Sequence, residues 1–164
     1  GEEVYSLSIL LNLAGFGNRS FIYGTDINLE MLNEARKGVY NLRKIKAYQE
    51  NYIQSELPGS LTDHFTMMHD AAGVHSTFRQ NALFSVHNLI TDSVFNEFHL
   101  ISCRNVFIYF EAALQEKILT LFYNSLASGG FLCLGTKETI RFPDMKHKFR
   151  VINSKANIYQ KLEG

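Results

Sequence analysis

Arg104 and Tyr109 are the side chains whose type and spacing best suit a charged ligand. They lie in Ile101-Ser102-Cys103-Arg104-Asn105-Val106-Phe107-Ile108-Tyr109-Phe110, where an apolar run passes straight into a polar turn. A buried guanidinium without a partner is costly, so Arg104 must meet a carboxylate or reach solvent. One outcome is a structural ion pair, with Glu138 as a candidate partner. The other is a pocket at the carboxyl end of a buried strand, where open α/β sheets place their ligands. Asp26 has a related position, at the end of the first visible strand and just before a helix. A carboxylate there suits the paired hydroxyls of a ribose through two charge-assisted hydrogen bonds, or it merely caps the helix behind it. Asn88-Leu89 also follow a strand, where an amide and a backbone group can read an adenine edge or simply make a turn. Glu2 and Glu3 open a helix, and an acidic first turn gains from the helix dipole alone.

These residues must be positioned by alternating strands and helices. Val4, Leu7, Leu10, Leu11 and Ala14 recur at helical spacing, and Gly15 and Gly17 stop that helix. Ser20 to Thr25 reads as a short buried strand. Asn28 is a good N-cap for a second helix with Leu29, Leu32 and Ala35 as its stripe, and Gly38 suits its end. Residues 41–80 are polar, with a Pro58-Gly59 break and no sustained period, and are expected to form helical pieces and loops carrying a small excursion from the sheet. Ala82 to Val86 and Phe98 to Cys103 read as strands. Ala112 to Leu126 is the clearest helix, expected to end at Gly129-Gly130, with Phe131 to Gly135 as the next strand. Lys148 to Ile152 and Asn157 to Leu162 flank turn residues and imply a closing hairpin. The pattern predicts an α/β fold with a mostly parallel sheet covered on both faces and an antiparallel strand at its end.

Composition narrows the function. A chain of 164 residues, 46% apolar and 20% charged, has room for one ordinary globular domain. Its 16 basic and 16 acidic side chains cancel, so bulk attraction to nucleic acid or an anionic membrane is not expected. No apolar run approaches the roughly 20 residues that span a bilayer, and without a leader-like segment a cytoplasmic location is the default. Cys103 and Cys133 lie in apolar runs without metal-ligand spacing, and are read as buried thiols. The histidines are scattered and no GxSxG motif occurs, which argues against metal hydrolysis and serine catalysis.

Taken in order, Gly1-Glu2-Glu3-Val4-Tyr5-Ser6-Leu7, Gly24-Thr25-Asp26-Ile27-Asn28, His87-Asn88-Leu89 and the Arg104-Asn105 strand resemble the CheR family of chemotaxis receptor methyltransferases. That family transfers a methyl group from S-adenosylmethionine to receptor glutamates. The resemblance runs along most of the chain and is thinnest over residues 41–80. It implies a class I methyltransferase (Rossmann-like) fold, a single domain over residues 1–164, and S-adenosylmethionine as cofactor, with S-adenosylhomocysteine as product. It implies that Glu3, Asp26, Asn88, Leu89, Cys103 and Arg104 contact the cofactor, and that Arg104 and Tyr109 line the place where donor and acceptor meet. The implied partner is the cytoplasmic domain of a chemoreceptor.

Two departures from the family pattern stand out. The chain opens at Gly-Glu-Glu, whereas the family has a preceding central strand with a glycine-containing loop, and usually a helical domain before it. A fragment lacking that strand is expected to be a weaker methyltransferase, and could dimerise through the exposed gap in its sheet. Lys137, in Thr136-Lys137-Glu138, stands where many members have serine. Two other readings remain: a non-catalytic domain that docks on a receptor or signalling partner, and a methyltransferase with a small-molecule acceptor.

Overall fold

The computed structural model describes residues 1–94 and 96–163. They form two compact units, Gly1–Asn88 and Leu89–Gly164.

The first unit is built around helix α1 (Glu2–Leu13) and a parallel strand pair, β1 (Ile22–Asp26) and β5 (Ala82–Val86). Tyr5, Ser8 and Ile9 form the buried face of α1. The Tyr5 hydroxyl donates to the Ala35 carbonyl (2.8 Å) and Ser8 Oγ to the Phe78 carbonyl (2.8 Å), fixing the helix at two distant points of the chain. Gly24 lets α1 lie close over β1, because a Cβ there would come within 2.8 Å of the Phe84 ring and 2.9 Å of Val4. Helix α2 (Leu29–Lys37) has the expected ends: Asn28 Oδ1 accepts from the Glu30 and Met31 amides, and Gly38 closes it at φ 60°.

Residues 41–80 hold more order than their composition indicates. Strand β2 (Val39–Asn41) leads into helix α3 (Leu42–Gln54), capped by the Asn41 side chain. Strands β3 (Phe65–Met67) and β4 (Ala71–Val74) join β2 in a small antiparallel sheet of order β2-β4-β3, followed by helix α4 (Ser76–Arg79). Strands of three or four residues are too short to show a period, so the excursion was legible and its sheet was not. Its core is Tyr5, Ile9, Ile45, Tyr52, Leu61, Phe65, Ala72 and Val74.

In the second unit, β6 (Phe98–Cys103) pairs in parallel with β7 (Leu126–Leu134), with helix α5 (Ala112–Ser125) as the crossover. The expected closing hairpin is β8 (Phe149–Asn153) and β9 (Ile158–Lys161), preceded by helix α6 (Pro143–Lys146) and giving the order β6-β7-β9-β8. Asn153 Oδ1 shapes the turn by accepting from the Lys155 and Ala156 amides. The core gathers Ile118, Leu119, Phe122, Leu126, Leu132 and Leu134. One expectation is corrected: Gly129-Gly130 does not end α5. The helix stops at Ser125, and the glycines lie inside β7, where Gly129 at φ 70° takes up a register shift opposite Phe98 and Leu100. The helical stripe and the strand are both apolar, so the boundary between them left no mark in the sequence.

The first unit also buries a histidine. Tyr52 Oη donates to the Pro58 carbonyl (2.7 Å), so His64 Nε2, 3.1 Å away, is the donor to Tyr52 Oη. Burial holds His64 below its ordinary value of 6.5, against the opposing pull of the Asp63 carboxylate. The unfolded chain therefore binds the proton more readily than the folded one. Stability is fully present above that value and declines as pH falls below it toward the folded-state pKa. Urea midpoints measured from pH 7.5 down to 5 should fall, and His64→Phe should flatten that dependence; parallel curves for the two proteins would refute this role of His64.

Candidate functional site

In the first unit the structure brings Asp26 and Asn88 to the same end of one parallel strand pair. Asp26 is the last residue of β1, in register with Val86 of β5, and the His87 amide donates to the Asp26 carbonyl (3.2 Å). Asn88 is the next residue. Asp26 is exposed, and its Oδ1 accepts from the Asn28 amide (2.8 Å). The alternative that it caps α2 is thereby decided: Asn28 is the N-cap, and Asp26 braces the turn that precedes it. A carboxylate braced at one oxygen and exposed at a strand end fits a pair of vicinal hydroxyls. Asn88 is half-buried beside it.

Glu3 is exposed in the first turn of α1, whose position Tyr5 fixes two residues on. Its neighbour Glu2 is drawn to α3, where Lys44 Nζ lies 2.8 Å from Glu2 Oε1. The Lys44 and Tyr48 hydrogen bonds hold the Glu2 carboxyl below its ordinary range.

In the second unit Cys103 ends β6, buried and in register with Leu134, and Arg104 follows it, exposed. Burial pushes the Cys133 thiol up while the Arg104 guanidinium pulls it down. Leu89 packs against the core of this unit. Tyr109 sits on a short 3-10 turn, Phe107–Tyr109, and is 79% exposed. Such exposure in a braced turn suits contact with another molecule.

What fixes these residues is Glu138, only 3% exposed. Its Oε2 accepts from the amides of Gly135 (2.6 Å) and Asn105 (2.9 Å), and its Oε1 from the amide of Phe107 (2.7 Å). The residue considered above as an ion-pair partner for Arg104 thus spends its carboxylate on backbone amides. Gln115 completes the clamp, donating from Nε2 to the carbonyls of Phe107 and Phe110, both at 2.9 Å. Asn105 takes φ 60°, and a Cβ on Gly135 would fall 2.5 Å from Asn105 Oδ1 and 2.6 Å from Glu138 Oε2. Asn157 holds the far side of Gly135, its Nδ2 donating to that carbonyl (2.8 Å). Sequence reasoning did not assign this anchoring role; an acid three residues after the glycine that ends a buried strand was the available signal.

Removing a buried acceptor of three amides leaves donors unmatched, at about 1–3 kcal/mol each. Glu138→Ala should therefore destabilise the protein by about 3 kcal/mol or more, and Glu138→Gln by clearly less, in urea unfolding. Equal losses in the two variants would contradict the clamp.

Among the described residues no helix is long and apolar enough to cross a membrane. The family described as CheR methyltransferase, SAM binding domain, matches residues 1–158. A Pseudomonas putida protein named Cher3 is 41% identical over 161 residues, covering 98% of this chain and 59% of its own length. The chemotaxis protein methyltransferases of Listeria innocua and Salmonella typhimurium are 33% and 32% identical, over 87% and 84% of this chain and 52% and 48% of theirs. The chain thus spans about half the length of the curated relatives it matches. With the mixed α/β architecture of its two units, this establishes the fold as that of a class I methyltransferase and the cofactor as S-adenosylmethionine. The chain belongs to the CheR methyltransferases, and matches them through their S-adenosylmethionine-binding domain.

Proposed function

We propose that this chain serves S-adenosylmethionine-dependent methyl transfer to glutamate side chains of chemoreceptors, as the cofactor-holding part of a protein-glutamate O-methyltransferase. The observation that carries the reading is the pairing of Asp26 and Asn88 at adjacent strand ends. An exposed carboxylate there accepts hydrogen bonds from both ribose hydroxyls, and the neighbouring amide reads the base. Glu3, exposed in the first turn of α1 in the same unit, joins them.

Bound S-adenosylmethionine supplies a methyl group on a sulfonium centre, electrophilic without further activation. A receptor glutamate, with an ordinary pKa of about 4.3, is already ionised at neutral pH. The chain's task is then alignment and removal of water, not proton abstraction. Arg104 orients the incoming carboxylate, and Tyr109 holds donor or acceptor from a turn that Glu138 and Gln115 brace. The protein substrate is the cytoplasmic domain of a chemoreceptor.

Two measurements test this. S-adenosylhomocysteine titrated calorimetrically into the chain and its Asp26→Ala variant should show at least a tenfold weaker affinity in the variant, since each hydrogen bond to a charged group contributes about 1.5–3 kcal/mol. Equal affinities would remove Asp26 from the site. Labelled methyl groups should enter receptor cytoplasmic fragments as base-labile esters and leave free glutamate and acetate unlabelled, with Arg104→Ala lowering the rate about a hundredfold. Comparable labelling of the free carboxylates would point to a small-molecule acceptor.

A further inference from the structure

The first unit contains a cavity of about 270 Å³ that the cofactor residues do not use. It lies among α1, α3, β2, β3 and the 55–61 connection. Its wall is aromatic: Tyr5, Tyr40, Tyr48, Tyr52 and Phe65, with Leu61. Tyr40 stands edge-on between two of the other rings, its centroid 6.4 Å from Tyr5 and 6.3 Å from Phe65. A dry cavity of about 150 Å³ already accepts benzene, so this one has room for a ring with a substituent.

Charge and hydrogen bonding narrow the occupant. No lysine or arginine lines the cavity, and the acidic residue at its edge is Glu2, so an anion is disfavoured. The Glu2 charge is itself taken up by Lys44, so the cavity does not call for a cation either. One wall group is left unmatched by the protein: the Tyr40 hydroxyl is buried and has no hydrogen-bond partner among the described residues. It stays a phenol, because burial raises its pKa. An unmatched buried donor is rare and asks for an explanation.

We propose that this cavity is a binding site for a small uncharged aromatic molecule carrying a hydrogen-bond acceptor. The ring packs against the Tyr40 and Phe65 walls, and the acceptor accepts a hydrogen bond from the Tyr40 hydroxyl as that ring tips from its sealed position toward the void. The site lies wholly within the first unit and does not depend on the methyl-transfer reading.

Binding to the chain is measured by ligand-observed NMR with acetophenone, toluene, benzoate and benzyltrimethylammonium, with no turnover involved. Acetophenone should bind more tightly than toluene, and benzoate should not bind. Tyr40→Phe keeps the cavity shape and should weaken acetophenone about fivefold while leaving toluene unchanged. Leu10→Trp, a substitution of a half-exposed lining residue of α1, should abolish both. The proposal is overturned if neither neutral ring binds, if benzyltrimethylammonium binds tightest, or if Tyr40→Phe leaves acetophenone unaffected. Self-association of the chain that Leu10→Trp removes would also overturn it, by making a second copy the occupant.

Discussion

The second unit depends on one buried carboxylate. Glu138 draws the amides of Asn105, Phe107 and Gly135 onto its two oxygens, and so ties the segment leaving β6 to the segment leaving β7. Helix termini and strand ends leave backbone donors that must be matched when buried. A single side chain does this for three of them, accepting on both of its oxygens. Arg104 sits one residue before this anchor and Tyr109 two residues after it, so neither can drift without disturbing the clamp. Gly135 follows from the same constraint, since the space a side chain would occupy is filled by Asn105 and Glu138.

The first unit solves a similar problem with packing. Its two parallel strands are too few to bury a core, and α1 supplies the missing apolar face. Tyr5 contributes most, because its ring fills the interior while its hydroxyl satisfies the Ala35 carbonyl at the end of α2. Asp26 and Glu3 are thereby set by elements whose burial occurs elsewhere. The small antiparallel sheet and α3 share that core, through Ile45, Tyr52 and Phe65.

Where side-chain chemistry determines geometry locally, the sequence was readable. Asn28 and Gly38 bound α2 as their types demand, and Ala82–Val86 and Phe98–Cys103 are strands with those limits. The placement of Asp26 and Asn88 at strand ends followed directly, and the family match now covers the motifs that suggested it. Legibility failed where local pattern and tertiary context diverge. Gly129-Gly130 looked like a helix terminator, yet β7 needs a positive φ to shift register against β6. The strands β2, β3 and β4 are shorter than one readable period, and β2 pairs with β4 from the far side of α3, Val39 with Gly73 and Asn41 with Ala71. Glu138 was visible as an acid, but nothing local says that its partners are amides rather than a guanidinium.

Several of the groups whose pKa values are displaced lie in the packed interior of the first unit. Tyr40, Tyr52 and His64 are shifted chiefly by burial, and each shift favours the neutral form. They belong to the packed wall of the first unit rather than to the strand ends that carry Asp26 and Asn88. Enzymes that move protons tune a base or an acid toward the working pH at the reacting centre. In the function proposed above the acceptor, a carboxylate already ionised at neutral pH, makes no such demand. It requires a carboxylate-orienting cation and a cradle for the donor, both held rigidly enough that reacting atoms meet in line. The two devices that achieve rigidity here, Glu138 on three amides and Tyr5 across two helices, invest in position.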